Sequence, residues 1–194
     1  MNHRAIGPMA LALVLPLALS AVGACAGAKP APTRAPAAVA DYYPLREGSA
    51  WSYDVDAGSG GTVLAVTRVE RVEGSSVWVR TGEGSERYEL HPDAIGRPDR
   101  GGLLLQGPLA PGSSWDSGGG ARATVEAFEQ VVETRAGRFE GCVRVVETGG
   151  ASGARIETTY CPRVGPVRVV SSLDLTHGTA RVSAELRGFV IGGE

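Results

Sequence analysis

Apolar and polar residues alternate in short runs along most of this chain, the runs are divided by clusters of Gly and Ser, and no long stretch repeats at helical spacing. Trp51, Tyr53 and Val55 alternate with Ser52, Asp54 and Asp56, which places the large side chains on one face of a strand and the polar ones on the other. Val77 with Val79, Tyr88 with Leu90, and Val182 with Ala184 and Leu186 repeat the pattern. So do Val167, Val169, Leu173 and Leu175. Between Val125 and Val132 apolar residues fall on both faces, which predicts burial of both sides or a bulge. The expected fold is mostly β, a single domain of about eight to ten antiparallel strands forming a curved sheet or partly open barrel.

The best-defined local element is a hairpin. Setting Cys142 opposite Cys161 puts Val143 against Tyr160, Val145 against Thr158 and Glu147 against Ile156, with a loop over 149–154. Val143, Val145, Ile156 and Tyr160 then share one face, while Arg144, Arg155 and Glu157 share the other with the two Cys. Directly opposed residues of a non-hydrogen-bonded pair lie about 4.5 Å apart at Cα, within reach of a disulfide.

The segment Pro44 to Trp51 is echoed by Pro108 to Trp115 as P-L-x-x-G-S-x-W. Two readings stand: duplication of a β-meander, or chance re-use of a turn that enters a strand. Either places Trp51 and Trp115 in the core.

The N-terminus carries an address. A basic start (His3, Arg4), an apolar stretch from Met9 to Leu19 and small residues lead to Val22-Gly23-Ala24-Cys25, the plan of an export signal ending in a lipobox. Cys25 is the expected lipidation site, with residues 1–24 as signal peptide; ordinary cleavage near Ala24 or Ala26 is the alternative. Acyl chains contribute about 0.8 kcal/mol per buried methylene, so several together anchor a protein stably to a membrane. By resemblance to lipoprotein sorting in Gram-negative envelopes, Ala26 in the place where Asp would mark retention at the inner membrane implies an outer membrane, facing the periplasm. Residues 25–40 are rich in Ala and Pro, with Val39 the one large apolar side chain, and read as an extended, disordered tether. The β-rich domain is expected over 41–194. With Cys25 acylated, Cys142 and Cys161 are left to pair with each other in an oxidising compartment.

After signal removal 18 basic and 21 acidic side chains remain, a net charge of −3 that argues against nucleic acid as a partner. No catalytic, cofactor-binding or metal-binding motif stands out. His91 and His177 lack zinc-ligand spacing and fit turns. Asp54 with Asp56, and Glu70 with Glu73, sit at alternating positions on a polar outer face, where solvated surface outweighs acid and base roles. Gly118-Gly119-Gly120 is expected as a flexible loop, since no helix follows it. Leu103-Leu104-Leu105 is read either as a buried strand or as the apolar lip of a ligand cavity.

Three motifs carry a resemblance. Tyr43-Pro44-Leu45 with Gly48, Trp51 and Tyr53, then Ala136 to Cys142, then Tyr160 to Val167 resemble a group of uncharacterised bacterial lipoprotein domains, the TapB-like kind. Cys161 and Arg163 replace the Ala and Gly common in the last motif of that group, so the Cys pair is local to this chain. The resemblance implies a curved antiparallel sheet in an exported protein and brings no catalytic residues. The functional expectation is a membrane-anchored envelope lipoprotein with a non-catalytic structural or binding module, its partner an envelope protein or apolar ligand. The alternative is a carrier or chaperone of apolar envelope molecules, with an enzyme third.

Overall fold

All strand pairings but one join strands consecutive in sequence, and the exception brings together the first and the last. The computed structural model describes residues 37–58 and 60–193. A single helical turn, α1 (Val39–Tyr42), precedes β1 (Ala50–Asp56), β2 (Thr62–Glu73), β3 (Ser76–Thr81), β4 (Gly84–His91), β5 (Ala94–Arg97) and β6 (Gly102–Gln106). Then follow β7 (Ser114–Gly118), β8 (Ala121–Thr134), β9 (Gly137–Gly149), β10 (Arg155–Cys161), β11 (Gly165–Leu175) and β12 (Gly178–Val190). One antiparallel sheet holds them in the order β6-β5-β4-β3-β2-β1-β12-β11-β10-β9-β8-β7. Its free edges, β6 and β7, curl toward each other. The Trp115 indole N–H donates to the Leu103 carbonyl at 3.1 Å across this seam. Nearby, Gly102 approaches the Ser117–Gly118 backbone so closely that a Cβ on it would overlap that backbone. The result is a nearly closed barrel.

Twelve strands among the described residues exceed the eight to ten expected. β2 escapes a reading by alternation because Val63, Leu64 and Val66 are all exposed, so apolar side chains stand on both of its faces. β5 has only four residues, Ala-Ile-Gly-Arg, too few to show a period. In β8 the bulge alternative holds: the register with β9 shifts three times between Val125 and Val132, burying Val132 and leaving Val131 exposed.

The echoed motif builds the same turn twice. Arg46 N–H donates to Pro44 O and Ala110 N–H to Pro108 O; Ser49 N–H donates to Arg46 O and Ser113 N–H to Ala110 O. Gly48 and Gly112 take positive φ of 81° and 86°, which a side chain would resist. The carbonyls of Ser49 and Ser113 then accept, each at 2.8 Å, from Val69 and Val125 on the following strands. Each copy opens a run of six strands, and Trp51 and Trp115 are both buried, as expected.

The hairpin register comes out as expected, with Val143, Val145 and Glu147 opposite Tyr160, Thr158 and Ile156. Cys142 and Cys161 lie 4.2 Å apart at Cα with their sulfurs at bonding distance. Both are fully buried. A register shift lies before Tyr160 in β10, and β8 is irregular beside Cys142.

Packing begins earlier than Asp41. Val39, the one large apolar residue of the Ala/Pro-rich stretch, is buried in the core. Asp41 O accepts from Arg163 N–H at 2.6 Å, and the Tyr42 hydroxyl donates to Gly141 O at 3.2 Å. Thus α1 closes the barrel end that also carries the β8–β9 and β10–β11 turns. The opposite end carries the β1–β2, β3–β4, β9–β10 and β11–β12 turns. Cys25 and the signal peptide lie outside the described residues.

Candidate functional site

Tyr43, in the link between α1 and β1, enters the barrel and meets three other rings. Its centroid lies 5.2 Å from Trp51, 6.1 Å from Tyr88 and 6.3 Å from Tyr160. Edge contacts of this kind hold aromatic planes at fixed angles. Burial pushes the Tyr43, Tyr53, Tyr88 and Tyr160 phenols well above the usual tyrosine range, with neighbouring phenols or the Glu86 and Glu147 carboxylates adding to the rise. They act as neutral hydrogen-bonding groups: Tyr53 donates to Pro166 O at 2.9 Å and Tyr88 to a Glu86 carboxylate oxygen at 2.7 Å.

Away from α1, near the ends of β5 and β9, lies an ion pair. Arg97 on β5 is 9% exposed and Glu147 on β9 is 7% exposed, low enough that neither charge is left to solvent. Burial alone would pull the Arg97 guanidinium down; hydrogen bonds from it to Glu147, and that carboxylate's charge, outweigh burial and hold it above its ordinary value. Sequence reasoning singled out neither member of the pair. A signal was present: in the hairpin register Glu147 falls on the apolar Val143–Val145 face, and an acid there needs a cation.

Beside the tyrosines is a cavity of about 590 Å³, open at the end away from α1. This falls within the roughly 300–1,000 Å³ of small-molecule sites. Tyr43, Tyr53 and Tyr88 line its inner part. One wall is aliphatic, formed by Val55, Ala65, Val169 and Ala184 from β1, β2, β11 and β12. The other is polar, formed by Thr81, Ser85, Glu86, Asp99 and Arg100 around the β3–β4 turn and the single 3-10 turn Pro98–Arg100. Glu86 meets Arg100 at 3.4 Å and Asp99 meets Arg87 at 3.5 Å, so the charges on this wall compensate each other.

Leu103, Leu104 and Leu105 do not line this cavity. They form most of β6, and Leu104 and Leu105 are buried in the core. Leu105 pairs with Ile95 and Leu103 with Gly96, leaving Leu104 as the extra residue of a bulge. That bulge lets three consecutive leucines pack, and it replaces the apolar-lip reading with the buried-strand one.

The remaining candidates stay apart. His177 lies in the two-residue β11–β12 turn and His91 at the end of β4, before the Pro92-Asp93 turn. Among the described residues no three His, Cys, Asp or Glu side chains gather as metal ligands. Asp54 pairs with Arg135 and Arg187, each at 3.1 Å, Glu70 with Arg80, and Glu73 with Arg71. Gly119 and Gly120 make a tight hairpin turn between β7 and β8, where a flexible loop was expected.

No family model matches the chain, and no curated protein does. Among solved structures it is similar to a Bacteroides fragilis protein described as exported and as having a YmcC-like fold, at 14% identity and a TM-score of 0.46, over 75% of this chain and 96% of that one. It is also similar to a Parabacteroides distasonis protein described as a lipoprotein, at 13% identity and a TM-score of 0.44, over 77% of this chain and 98% of that one.

Proposed function

We propose that the chain is an envelope lipoprotein, anchored through acylated Cys25, whose barrel is a non-catalytic binding module for an apolar molecule. The cavity carries this reading. A filled barrel would suit a purely structural part or a protein-docking module; about 590 Å³ of aromatic- and aliphatic-lined space with one polar wall suits a bound amphiphile. The address rests on the lipobox-like Val22 to Cys25.

Native mass spectrometry of the Cys25→Ser protein, purified from the periplasm without detergent, tests the binding role. An excess mass lost on denaturation is expected; a bare chain mass overturns it in favour of a protein-binding or structural module. Fractionation tests the anchor: the wild-type protein is expected with the membranes and Cys25→Ser in the soluble periplasmic fraction. Equal partitioning of both would remove the lipid anchor from the proposal.

A further inference from the structure

The aliphatic wall of the cavity does not stop at its mouth. Val55 pairs with Val63 and Tyr53 with Ala65, so Val63 continues the inner row of β2 beyond Ala65. Val182 continues the inner row of β12 beyond Ala184 with no break in register, while the inner row of β11 runs from Val169 through Ser171 and Leu173 to Leu175 beside the β11–β12 turn. Val63 is 66% exposed, Leu175 56% and Val182 42%. Val63 and Val182 therefore stand in solvent on the concave face, at the rim of a cavity whose lining they extend, and Leu175 stands farther out at the hairpin tip. Across the mouth the wall is of opposite character, with Thr81, Ser85, Glu86 and Arg100. There Glu86 Oε1 is buried and ion-paired with Arg100 at 3.4 Å and Arg97 at 4.0 Å without accepting a hydrogen bond, while Oε2 accepts from Tyr88. Its charge is compensated but its hydrogen-bonding capacity is not filled, which leaves an acceptor site for a neutral donor.

We infer that the mouth holds one acyl chain of an amphiphile along the β1–β2 and β11–β12 rim, with a hydroxyl-bearing head group donating to Glu86 on the facing wall. This rests on the proposed binding role and names its ligand class. The chain covers Val63 and Val182, which no part of the described structure covers. Because the charges on the polar wall are already paired, a neutral hydrogen-bond donor suits it better than an ionic head.

The test uses a medium-chain monoacylglycerol as the probe, titrated by calorimetry into the Cys25→Ser protein. Val63→Asp and Val182→Asp are expected to weaken binding by about tenfold or more, as a charge set against an apolar chain does. Leu64→Asp is the control. Leu64 adjoins Val63 on the same strand at 61% exposure but faces outward, so its replacement is expected to leave binding unchanged. The methyl ester of the same acyl chain, lacking hydroxyls, is expected to bind about tenfold more weakly than the monoacylglycerol. Wild-type-like binding by both inner-face variants, or equal loss in Leu64→Asp, overturns the rim assignment while the binding role stands. Equal affinity for the ester overturns the head-group assignment. No binding of either probe, together with a bare native mass, removes the binding role itself.

Discussion

Arg97 donates to both carboxylate oxygens of Glu147, at 2.7 and 3.3 Å, from β5 to β9 through the interior of the barrel. The pair ties together strands that share no backbone ladder. Its Coulombic gain is set against desolvation of both ions, so its net contribution is small, while removal of one partner leaves the other charged in a poorly solvated place. Glu147→Leu is therefore expected to destabilise the protein by about 3 kcal/mol in urea denaturation, and Arg97→Met with Glu147→Leu to recover most of that loss. A double replacement as unstable as the single one would show that the pair does more than cancel its own charges.

Cys142 and Cys161 are 19 residues apart and buried. Bridging them restricts the unfolded chain and is expected to stabilise the fold by about 3 kcal/mol, which for a domain of this size is roughly 5–10 °C in melting temperature. Cys142→Ser should lower the melt by that amount under oxidising conditions. An unchanged melt, or two free thiols on alkylation of the native protein, would show the bond is not formed in solution.

The seam between β6 and β7 has no room for a methyl group. Gly102→Ala would drive its Cβ into the backbone of Ser117 and Gly118, and relief requires the two edges to part. A loss of about 2 kcal/mol or more is expected. Gly61→Ala, in an exposed turn with nothing within 4 Å, should change stability little. Equal behaviour of the two variants would mean that the edges are not in contact.

Four buried phenols make the fold sensitive to alkali. Tyr43, Tyr53, Tyr88 and Tyr160 stay protonated in the folded barrel at pH values where they ionise in the unfolded chain, near 10.0. Unfolding above that pH therefore releases protons, and stability falls as pH rises, by up to about 1.4 kcal/mol per pH unit for each phenol. Below it their contribution is fully present. Urea denaturation between about pH 9 and pH 11 should show this decline, with the tyrosinate absorbance of these four phenols rising only as the barrel unfolds. Ionisation of these phenols at ordinary pH in intact protein would contradict their burial.

The sequence made legible what depends on local alternation. The Val143–Tyr160 register, the inward Trp51 and Trp115, and the bulged stretch near Val125 follow from two-residue periodicity, which the barrel obeys wherever one face is wet and the other dry. What it hid depends on partners distant in the chain. Glu147 makes sense on an apolar face only with Arg97 opposite, and Tyr43 is a core residue only because the link from α1 turns into the barrel. Val63 and Leu64 look alike in sequence; only the pairing of Val55 with Val63 shows which of them faces the mouth. The leucine run at 103–105 left a buried strand and an apolar lip both open for a related reason: a bulge, invisible in composition, accommodates all three in a short edge strand.

Closure through β1 and β12 bears on how this chain must fold. Among the described residues, ten of the eleven ladders join consecutive strands and can form as local hairpins or by sequential addition. The remaining one, from Ala50 with Val190 to Asp56 with Ser183, requires the two ends of the domain to meet and carries the largest loop-closure entropy. Two six-stranded meanders, each begun by its own Pro-Leu turn and tryptophan, can thus assemble first and zip together last. Until they do, β1 and β12 are unprotected sheet edges, and the slow step of folding is the interval in which the chain is most open to pairing with another copy of itself.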